Sequence, residues 1–180
     1  MQKIPEIVGN NIYLRNVKVE DAATIVQWRN DFDLKYLAGV KPIDQASLET
    51  EINFAINSED EAFIMVVKKL NDEPIGYIRL NRMPSESFKD ILWLRMVIGK
   101  KEECGKGYGG EALRLVLDWL FNELNIHKVE CETFNYNVRA IHFFEKVGFK
   151  REGLRRKGHF YNGEYYDVIM FGLLKEEYIG

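Results

Sequence analysis

The sequence predicts an α+β domain built on a mixed, mostly antiparallel β-sheet. Three observations support this fold class. In the N-terminal half, apolar strand patterns follow one another across short turns. A glycine-rich turn then joins a strand pattern to an amphipathic helix, and the two C-terminal strand patterns meet at Asn162-Gly163. Short turns favour antiparallel pairs, a helix between strands favours a parallel crossover, and Asn-Gly is a strong hairpin signal.

The individual elements follow in chain order from the apolar periodicity. Strand patterns cover 11–15, 62–68, 75–80, 91–98, 128–133, 149–160 and 164–174, and helical spacing covers 20–28, 48–56, 107–123 and 138–147. Turn residues separate the second strand from the third at 71–74, and a polar loop separates the third from the fourth at 84–87. The sequence carries no repeat, linker or low-complexity tract, so we expect a single domain over 1–180.

Composition narrows the class of protein. The 180 residues are 46% hydrophobic and 13% aromatic, which is typical of a folded domain with a substantial core. A net charge of -3 argues against nucleic acid or an anionic membrane as the main partner. The two cysteines form neither a disulfide framework nor a zinc spacing, so we expect no metal. Without a signal peptide pattern or an apolar run of about 20 residues, we expect a cytoplasmic protein.

The most informative motif is a glycine-rich turn, Cys104-Gly105-Lys106-Gly107-Tyr108-Gly109-Gly110, between an apolar strand and an amphipathic helix. Glycines let the backbone approach a ligand that side chains would exclude. The first turn of the helix presents unpaired N–H groups at the positive end of its dipole. The motif therefore predicts a cradle for a pyrophosphate, and a turn that is merely rich in glycine is the structural alternative.

Two other phosphate-binding motifs can be compared with this turn. A Walker loop requires a hydroxyl residue after its lysine, but here Lys106 is followed by Gly107. A dinucleotide-binding unit requires an acidic residue about 20 residues after the glycines. Glu130 and Glu132 lie near that distance, so this spacing leaves a dinucleotide-binding protein open.

The chain resembles the GNAT acetyltransferase superfamily over nearly its full length. The acetyl-coenzyme A motif of that family, Gln/Arg-x-x-Gly-x-Gly/Ala, falls on 104–109. A second signature, Asn-x-x-Ala followed by an aromatic residue and Gly-Phe, falls on 137–149. Leu14-Arg15 and Trp28-Arg29-Asn30-Asp31 resemble the RimJ/RimL-like branch, whose members modify protein N-termini, polyamines, amino sugars and antibiotics.

This resemblance implies both a fold and a cofactor site. The fourth strand would splay from the fifth within a sheet covered by helices on both faces, and its freed backbone would bind the pantetheine arm as an added strand does. The implied acetyl-coenzyme A contacts are Met96, Val97 and Ile98 for the arm, Gly105, Lys106, Gly107, Tyr108, Gly109 and Gly110 for the pyrophosphate, and Asn137 and Phe144. Lys106 is equally explained as a solvated lysine, and Asn137 as a helix cap.

Three positions depart from the family pattern. Cys104 replaces the usual Gln or Arg, which matters little because the phosphate contacts are mainly main-chain; a filler role suits it better than a thiol nucleophile. Phe144 stands where many relatives carry a tyrosine that protonates the leaving thiolate, so Tyr136, Tyr108 or water would have to serve. Trp93 stands roughly where relatives often place a glutamate as general base.

Acetylation of an amine requires the neutral nucleophile, so a base is still needed. The candidate bases are Asp90 before the fourth strand, Glu132 on the fifth strand, and Asp167 on the last hairpin. Carboxylates at such positions are more often solvated or ion-paired than catalytic. His142 and His159 could titrate near neutrality, although His142 lies on a helix pattern that favours surface or packing.

Aromatic residues are candidates for the walls of the acceptor site. They lie in the hairpin segment 160–167 and at Trp28 and Tyr36. Cross-strand aromatic pairs and ordinary core packing explain the same residues without a ligand.

The resulting hypothesis is an acetyl-coenzyme A-dependent N-acetyltransferase that acts by direct attack of a primary amine in a ternary complex. A backbone N–H near Val97 or Ile98 would polarise the thioester carbonyl. The acceptor classes are a polyamine, an amino sugar, another small amine or a protein N-terminus, and the resemblance allows a homodimer. A non-catalytic acyl-coenzyme A-binding sensor is the alternative that Phe144 and Trp93 favour, and a nucleotide-binding protein comes third.

Overall fold

The structure is a computed structural model that describes residues 3–83 and 90–180. The predicted loop at 84–87 lies outside the described residues. The strands are β1 (Ile7–Val8), β2 (Ile12–Asn16), β3 (Glu61–Lys68), β4 (Glu73–Arg82), β5 (Ile91–Ile98), β6 (Lys128–Phe134), β7 (Lys150–Tyr161) and β8 (Glu164–Leu174). The helices are α1 (Ala22–Asn30), α2 (Phe32–Ala38), α3 (Gln45–Asn57), α4 (Tyr108–Asp118) and α5 (Val138–Val147).

These strands form one sheet in the order β1-β2-β3-β4-β5-β6-β8-β7. All neighbouring strands in it are antiparallel except β5 and β6, which are parallel because α4 carries the chain back between them. The predicted α+β class with a mixed, mostly antiparallel sheet is confirmed. The hairpin between β7 and β8 also turns where predicted, with positive φ angles of 48° at Asn162 and 86° at Gly163.

Strands β5 and β6 separate along most of their length. They pair only from Ile91–Trp93 to Lys128–Glu130, although β5 continues to Ile98 and β6 to Phe134. Beyond that point β5 remains bonded to β4 on one side, and β6 remains bonded to β8 on the other. The predicted splay is therefore present, and it leaves one edge of each strand facing the gap.

Side chains from the sheet build a separate core on each face. On β3, Ile64 and Val66 join the core beneath α4 and α5, whereas Phe63 and Met65 join the core beneath α1 and α3. This alternation follows from the period of two along a strand. Helices therefore cover both faces of the sheet, as predicted, and the splayed edges open between the two layers.

Helix α2 was not predicted from the sequence. Its N-cap, Asp31, accepts a hydrogen bond from the N–H of Leu34 at 3.1 Å, and the helix ends at Gly39 with a φ of 60°. The segment is only seven residues long and buries only Leu34, while Phe32 is 67% exposed. Its apolar periodicity is too short to be recognised, although the helix forms one wall of the site described below.

Candidate active site

The glycine-rich turn has the backbone of a ligand cradle. Gly105 and Gly107 have φ angles of 83° and 93°, which other residues adopt only with strain. A Cβ atom built on either residue meets nothing within 4 Å, so the space beside both is open. These two glycines therefore serve both the turn geometry and the approach of a ligand.

The turn leads into the N-terminus of α4. The first helical hydrogen bond runs from the N–H of Glu111 to the carbonyl of Gly107 at 3.0 Å. Within the described ranges, the N–H groups of Tyr108, Gly109 and Gly110 have no acceptor. These N–H groups lie at the positive end of the helix dipole, so this terminus is suited to binding an anion. The residues present fit a pyrophosphate.

The freed edge of β5 supplies a second row of backbone groups. The N–H of Gly99 donates to the carbonyl of Ile75 on the β4 side at 2.8 Å. Because backbone groups alternate between the two edges of an antiparallel strand, those of Val97 also face β4, and those of Met96 and Ile98 face the gap. Met96 and Ile98 therefore fit the predicted arm-binding role, whereas the backbone of Val97 is used within the sheet.

The cradle and the splayed strands open into one cleft of about 560 Å³. Its lining includes the end of α2, the gap side of β5, the glycine turn, the end of β6, one face of α5 and part of the last hairpin. Among the predicted cofactor residues, those that line it are Met96, Val97, Ile98, Gly105, Gly107, Gly109, Gly110, Asn137 and Phe144.

Lys106 and Tyr108 are predicted cofactor residues that do not line the cleft. The ammonium of Lys106 lies 2.9 Å from Glu103, and Tyr108 packs against the core under α4. Glu103 is buried, and Lys68 also binds it at 2.8 Å. The Lys68 ammonium, followed by that of Lys106, lowers the pKa of the Glu103 carboxyl. The carboxylate of Glu103 therefore holds Lys106 away from the open space.

Asn137 has two structural roles at the edge of the cleft. Its side-chain oxygen accepts a hydrogen bond from the N–H of Ala140 at 3.1 Å and caps α5. Its amide donates to the carbonyl of Leu37 at 2.7 Å, which links α5 to α2. Asn137 therefore fixes the relative position of two cleft walls.

The sequence analysis missed five cationic residues that line the cleft, namely Arg95, Arg114, Arg139, Lys146 and Arg155. Arg114 on α4 and Arg139 and Lys146 on α5 line it, and no ion pair holds any of them in the described part of the chain. Arg139 and Lys146 are seven residues apart and so share one face of α5, a spacing that could have revealed them. They add positive charge beside the cradle, as an anionic ligand requires.

The predicted acid and base residues are not gathered at one place. Asp90 and Asp167 do not line the cleft. The Asp167 carboxylate instead accepts a hydrogen bond from the N–H of Lys157 at 2.8 Å. Glu132 does line the cleft, where it pairs with Arg155 at 3.3 Å.

Tyr136, the predicted acid, lies behind the lining. Its hydroxyl donates to the carbonyl of Tyr36 at 2.6 Å, and the two rings stack with centroids 4.2 Å apart. Burial, with the neighbouring tyrosines, raises the pKa of Tyr136. Tyr36 thus packs against the hairpin rather than facing the cleft, and Trp28 packs in the core against Gly99.

Phe144, Trp93 and Cys104 all line the cleft. Phe144 is buried within an aromatic group that includes Phe149 and Phe171, and it cannot transfer a proton. Trp93 cannot act as a base. Cys104 has its thiol 3.6 Å from the carbonyl of Lys100, which suits the predicted filler role.

His159 on β7 is the remaining titratable residue of the lining. Its ring stacks on Phe134 with centroids 3.8 Å apart and an interplanar angle of 15°. Its Nε2 atom is buried and has no hydrogen-bond partner among the described residues. Burial lowers the pKa of His159, which keeps the imidazole neutral at physiological pH.

Two kinds of feature are absent from the part of the chain that the structure describes. Residues 3–83 and 90–180 contain no group of three or more histidine, cysteine, aspartate or glutamate side chains that could hold a metal ion. The same ranges contain no helix of the length and apolar character needed to cross a membrane.

The fold and the cleft together define an acyltransferase. A family profile described as "Acetyltransferase (GNAT) domain" matches residues 11–150, and the chain belongs to this family. It is an acyl-coenzyme A-dependent acyltransferase.

Individual relatives agree with this membership. The uncharacterized N-acetyltransferase p20 of Bacillus licheniformis is 27% identical over 172 residues, covering 93% of this chain and 94% of the relative. A spermidine N(1)-acetyltransferase of Vibrio cholerae is 34% identical over 83 residues, about half of each chain. The crystal structure of spermidine N-acetyltransferase from Vibrio cholerae, in complex with coenzyme A and spermine, is 25% identical and superposes with a TM-score of 0.86 over 96% of this chain and 100% of that one.

Proposed function

We propose that the protein transfers the acetyl group of acetyl-coenzyme A to a primary amine, by direct attack in a ternary complex. The observation that carries this proposal is the continuity of the site. The open turn at Gly105 and Gly107, the unpaired N–H groups at the start of α4 and the free edge of β5 all border one cleft. The anionic pyrophosphate of coenzyme A fits the turn and the start of α4, and the extended pantetheine arm fits the free edge of β5.

Each part of the cleft has a distinct task in this proposal. The N–H groups from Tyr108 to Gly110 would hold the pyrophosphate, and Arg139 and Lys146 would add charge for further phosphate. The backbone groups of Met96 and Ile98 would hold the arm. When bound, acetyl-coenzyme A supplies the activated acetyl group; the chain supplies proximity and an N–H donor from β5.

The acceptor is best described as an amine that carries few positive charges. The described lining contains two carboxylates, Glu103 and Glu132, and cations already neutralise both. The distal ammonium groups of a polyamine would therefore find no free carboxylate at these two positions. We expect an amino sugar, another small amine or a protein N-terminus to be preferred over spermidine, although spermidine is the substrate named for the similar acetyltransferase of Vibrio cholerae.

An acetyl-transfer assay tests the proposal directly. Release of free coenzyme A would be followed with spermidine, glucosamine and a short peptide with a free N-terminus, and mass spectrometry would identify an acetyl amide on the product. Acetylation of at least one amine, with a higher kcat/KM for a monoamine than for spermidine, is the expected result. Thioester loss without any acetylated amine would contradict N-acetyl transfer.

A specific observation favours a second candidate, the non-catalytic acyl-coenzyme A sensor. Phe144 and Trp93 line the cleft and remove the usual proton-transfer groups of the family. Calorimetry separates the two functions, because a sensor would bind acetyl-coenzyme A tightly and turn over no amine. The proposal also includes membership of the RimJ/RimL-like branch, which rests on the motifs near Leu14 and Trp28. It further includes a homodimer, which light scattering would detect from the molar mass in solution.

A further inference from the structure

The imidazole of His159 belongs to the lining of the cleft. It stacks on Phe134 at the end of β6, and a Cβ built on Gly39, at the end of α2, would lie 3.8 Å from its Cε1 atom. The gap between β5 and β6 lies beside Phe134. His159 is therefore near the point where the splayed strands, α2 and the last hairpin meet.

An irregularity in β7 produces this position. Arg155 pairs with Val168 on β8, but the next pair joins His159 to Tyr166, so three residues of β7 oppose one of β8. Within the bulge, Lys157 has a φ of 52° and its N–H is held by the Asp167 carboxylate at 2.8 Å. Bulges of this kind re-aim a side chain and are common beside active sites. Asp167 thus fixes the backbone that presents His159.

The state of Nε2 needs an explanation. Buried polar side-chain atoms almost always have a hydrogen-bond partner, and leaving one without a partner is unfavourable. Nε2 of His159 has none in the part of the chain that the structure describes. The ring lines the cleft while this nitrogen is covered and unpaired, so a partner that arrives with the substrate would reach Nε2 when binding displaces the cover.

The charges around the ring leave it able to take a proton. The carboxylate of Glu132 on β6 raises the pKa of His159 by charge attraction, and that carboxylate is paired with Arg155 on β7. From the hairpin and the β6–α5 turn, the rings of Tyr161 and Tyr136 lie 6.1 and 6.4 Å away, and Tyr166 faces it across the strands. Burial outweighs Glu132 and lowers the pKa of His159, so the imidazole is neutral.

We infer that His159 is the catalytic base, and that its Nε2 accepts a proton from the ammonium of the acceptor. This inference rests on the proposed N-acetyltransferase function. The base candidates from the sequence are less suitable, because Asp90 and Asp167 do not line the cleft and Glu132 is ion-paired. His159 lines the cleft and has neither restriction.

The proton and bond changes balance without a further reactant. The ammonium gives one proton to Nε2 and becomes a neutral amine. A bond then forms between this nitrogen and the acetyl carbon while the bond from that carbon to sulfur breaks. The second proton lost by the nitrogen accompanies the thiol product, and the imidazolium returns its proton to water.

Two variants separate the proton-accepting role of His159 from its packing. His159→Phe keeps a flat ring against Phe134 and removes Nε2, whereas His159→Gln keeps a polar side chain without a comparable base. We expect each to lower kcat/KM at pH 7 by about 100- to 10,000-fold for the best amine of the panel, the usual effect of losing a general base. Coenzyme A affinity, measured by calorimetry, should stay within threefold of wild type. His142→Gln, an exposed histidine outside the cleft, is the matched control.

The pH profile distinguishes a base from a structural residue. In the wild type, kcat/KM should fall as pH drops through the pKa of His159, because the imidazolium cannot accept a proton. In His159→Phe the activity should instead rise steadily with pH as the amine deprotonates without assistance, so that the deficit against wild type shrinks. A deficit that is constant at every pH would overturn the inference.

A spectroscopic test needs no turnover. The chain has three histidines, so ring signals in the NMR spectrum can be assigned from His127→Gln, His142→Gln and His159→Phe. Spermidine, glucosamine and the peptide are each added with saturating coenzyme A. At least one amine should shift the titration of the His159 signal to lower pH, because an ammonium beside Nε2 disfavours the imidazolium.

The outcomes keep this inference distinct from the proposed function. If the wild type acetylates an amine and His159→Phe retains at least a third of that activity, the inference fails and the transferase stands. If no amine is acetylated but one shifts the His159 signal, the transferase fails and the contact at Nε2 is supported. If no amine is acetylated and none shifts the signal, both fail.

Discussion

Adding one methyl group at Gly107 tests the ligand cradle separately from the stability of the fold. Gly107 is the N-cap of α4, has a φ of 93° and borders the cleft, with open space where a Cβ would lie. Gly163 at the tip of the last hairpin has a φ of 86° and the same open space, but it does not line the cleft. Gly107→Ala and Gly163→Ala therefore form a matched pair.

The expected losses of stability and of coenzyme A affinity follow from the two roles of Gly107, in the turn and in the ligand space. An alanine at positive φ costs about 1–2 kcal/mol at either position, which for a domain of this size lowers Tm by roughly 2–8 °C. At Gly107 the new methyl group also occupies ligand space and would prevent at least one N–H contact with a charged phosphate, worth about 1.5–3 kcal/mol. Coenzyme A binding should therefore weaken by about 10- to 150-fold in Gly107→Ala alone.

Isothermal titration calorimetry with coenzyme A and thermal unfolding followed by circular dichroism measure both effects. Both variants should unfold at similarly reduced temperatures, whereas only Gly107→Ala should lose affinity. Equal affinity in the two variants would show that the open space at Gly107 is not used by the ligand. Equal loss of affinity in both would show that binding responds to general destabilisation.

Three further predictions concern the residues around the cleft. Glu103→Gln should lower Tm at pH 7. Because Lys68 lowers the pKa of the Glu103 carboxyl, the difference from wild type should shrink as pH falls from about 4.3, the ordinary pKa of glutamate, through the lowered pKa of the folded state; an unchanged difference at pH 3 would contradict this. Asn137→Ala should reduce the free energy of unfolding in urea by about 1–2 kcal/mol, since it loses the α5 cap and the bond to Leu37; no reduction would mean that neither bond contributes. His159→Phe should be at least as stable as wild type, because it removes an unpaired buried atom. Burial lowers the pKa of His159 in the folded state, so below about pH 6.5 the imidazole takes up a proton when the wild type unfolds, which favours unfolding. The stability advantage of the variant should therefore grow below that pH, and a variant Tm lower than that of wild type at pH 5 would count against this account.

Several elements could be predicted to within a residue because their signals are local. Strand β5 and helix α5 have the predicted limits, and α5 begins at a capping Asn137 and ends at Gly148 with a φ of 114°. The Asn162-Gly163 turn follows from the conformational freedom of the same two residues. Helix α2 was missed because its contacts, such as Asn137 to Leu37, join residues 100 positions apart.

The amino-acid sequence by itself determined the fold class, the glycine cradle and the strand that runs into it, since turn chemistry and periodicity act between near neighbours. The tertiary structure decided which edge of β5 is free, that Tyr136 is held away from the cleft, and that Nε2 of His159 is buried without a partner. These properties depend on which distant segments exclude water from a given atom or compete for its hydrogen bond. A candidate donor site could therefore be proposed from a motif, whereas the candidate base became visible only when β6, α2 and the bulged β7 were placed together.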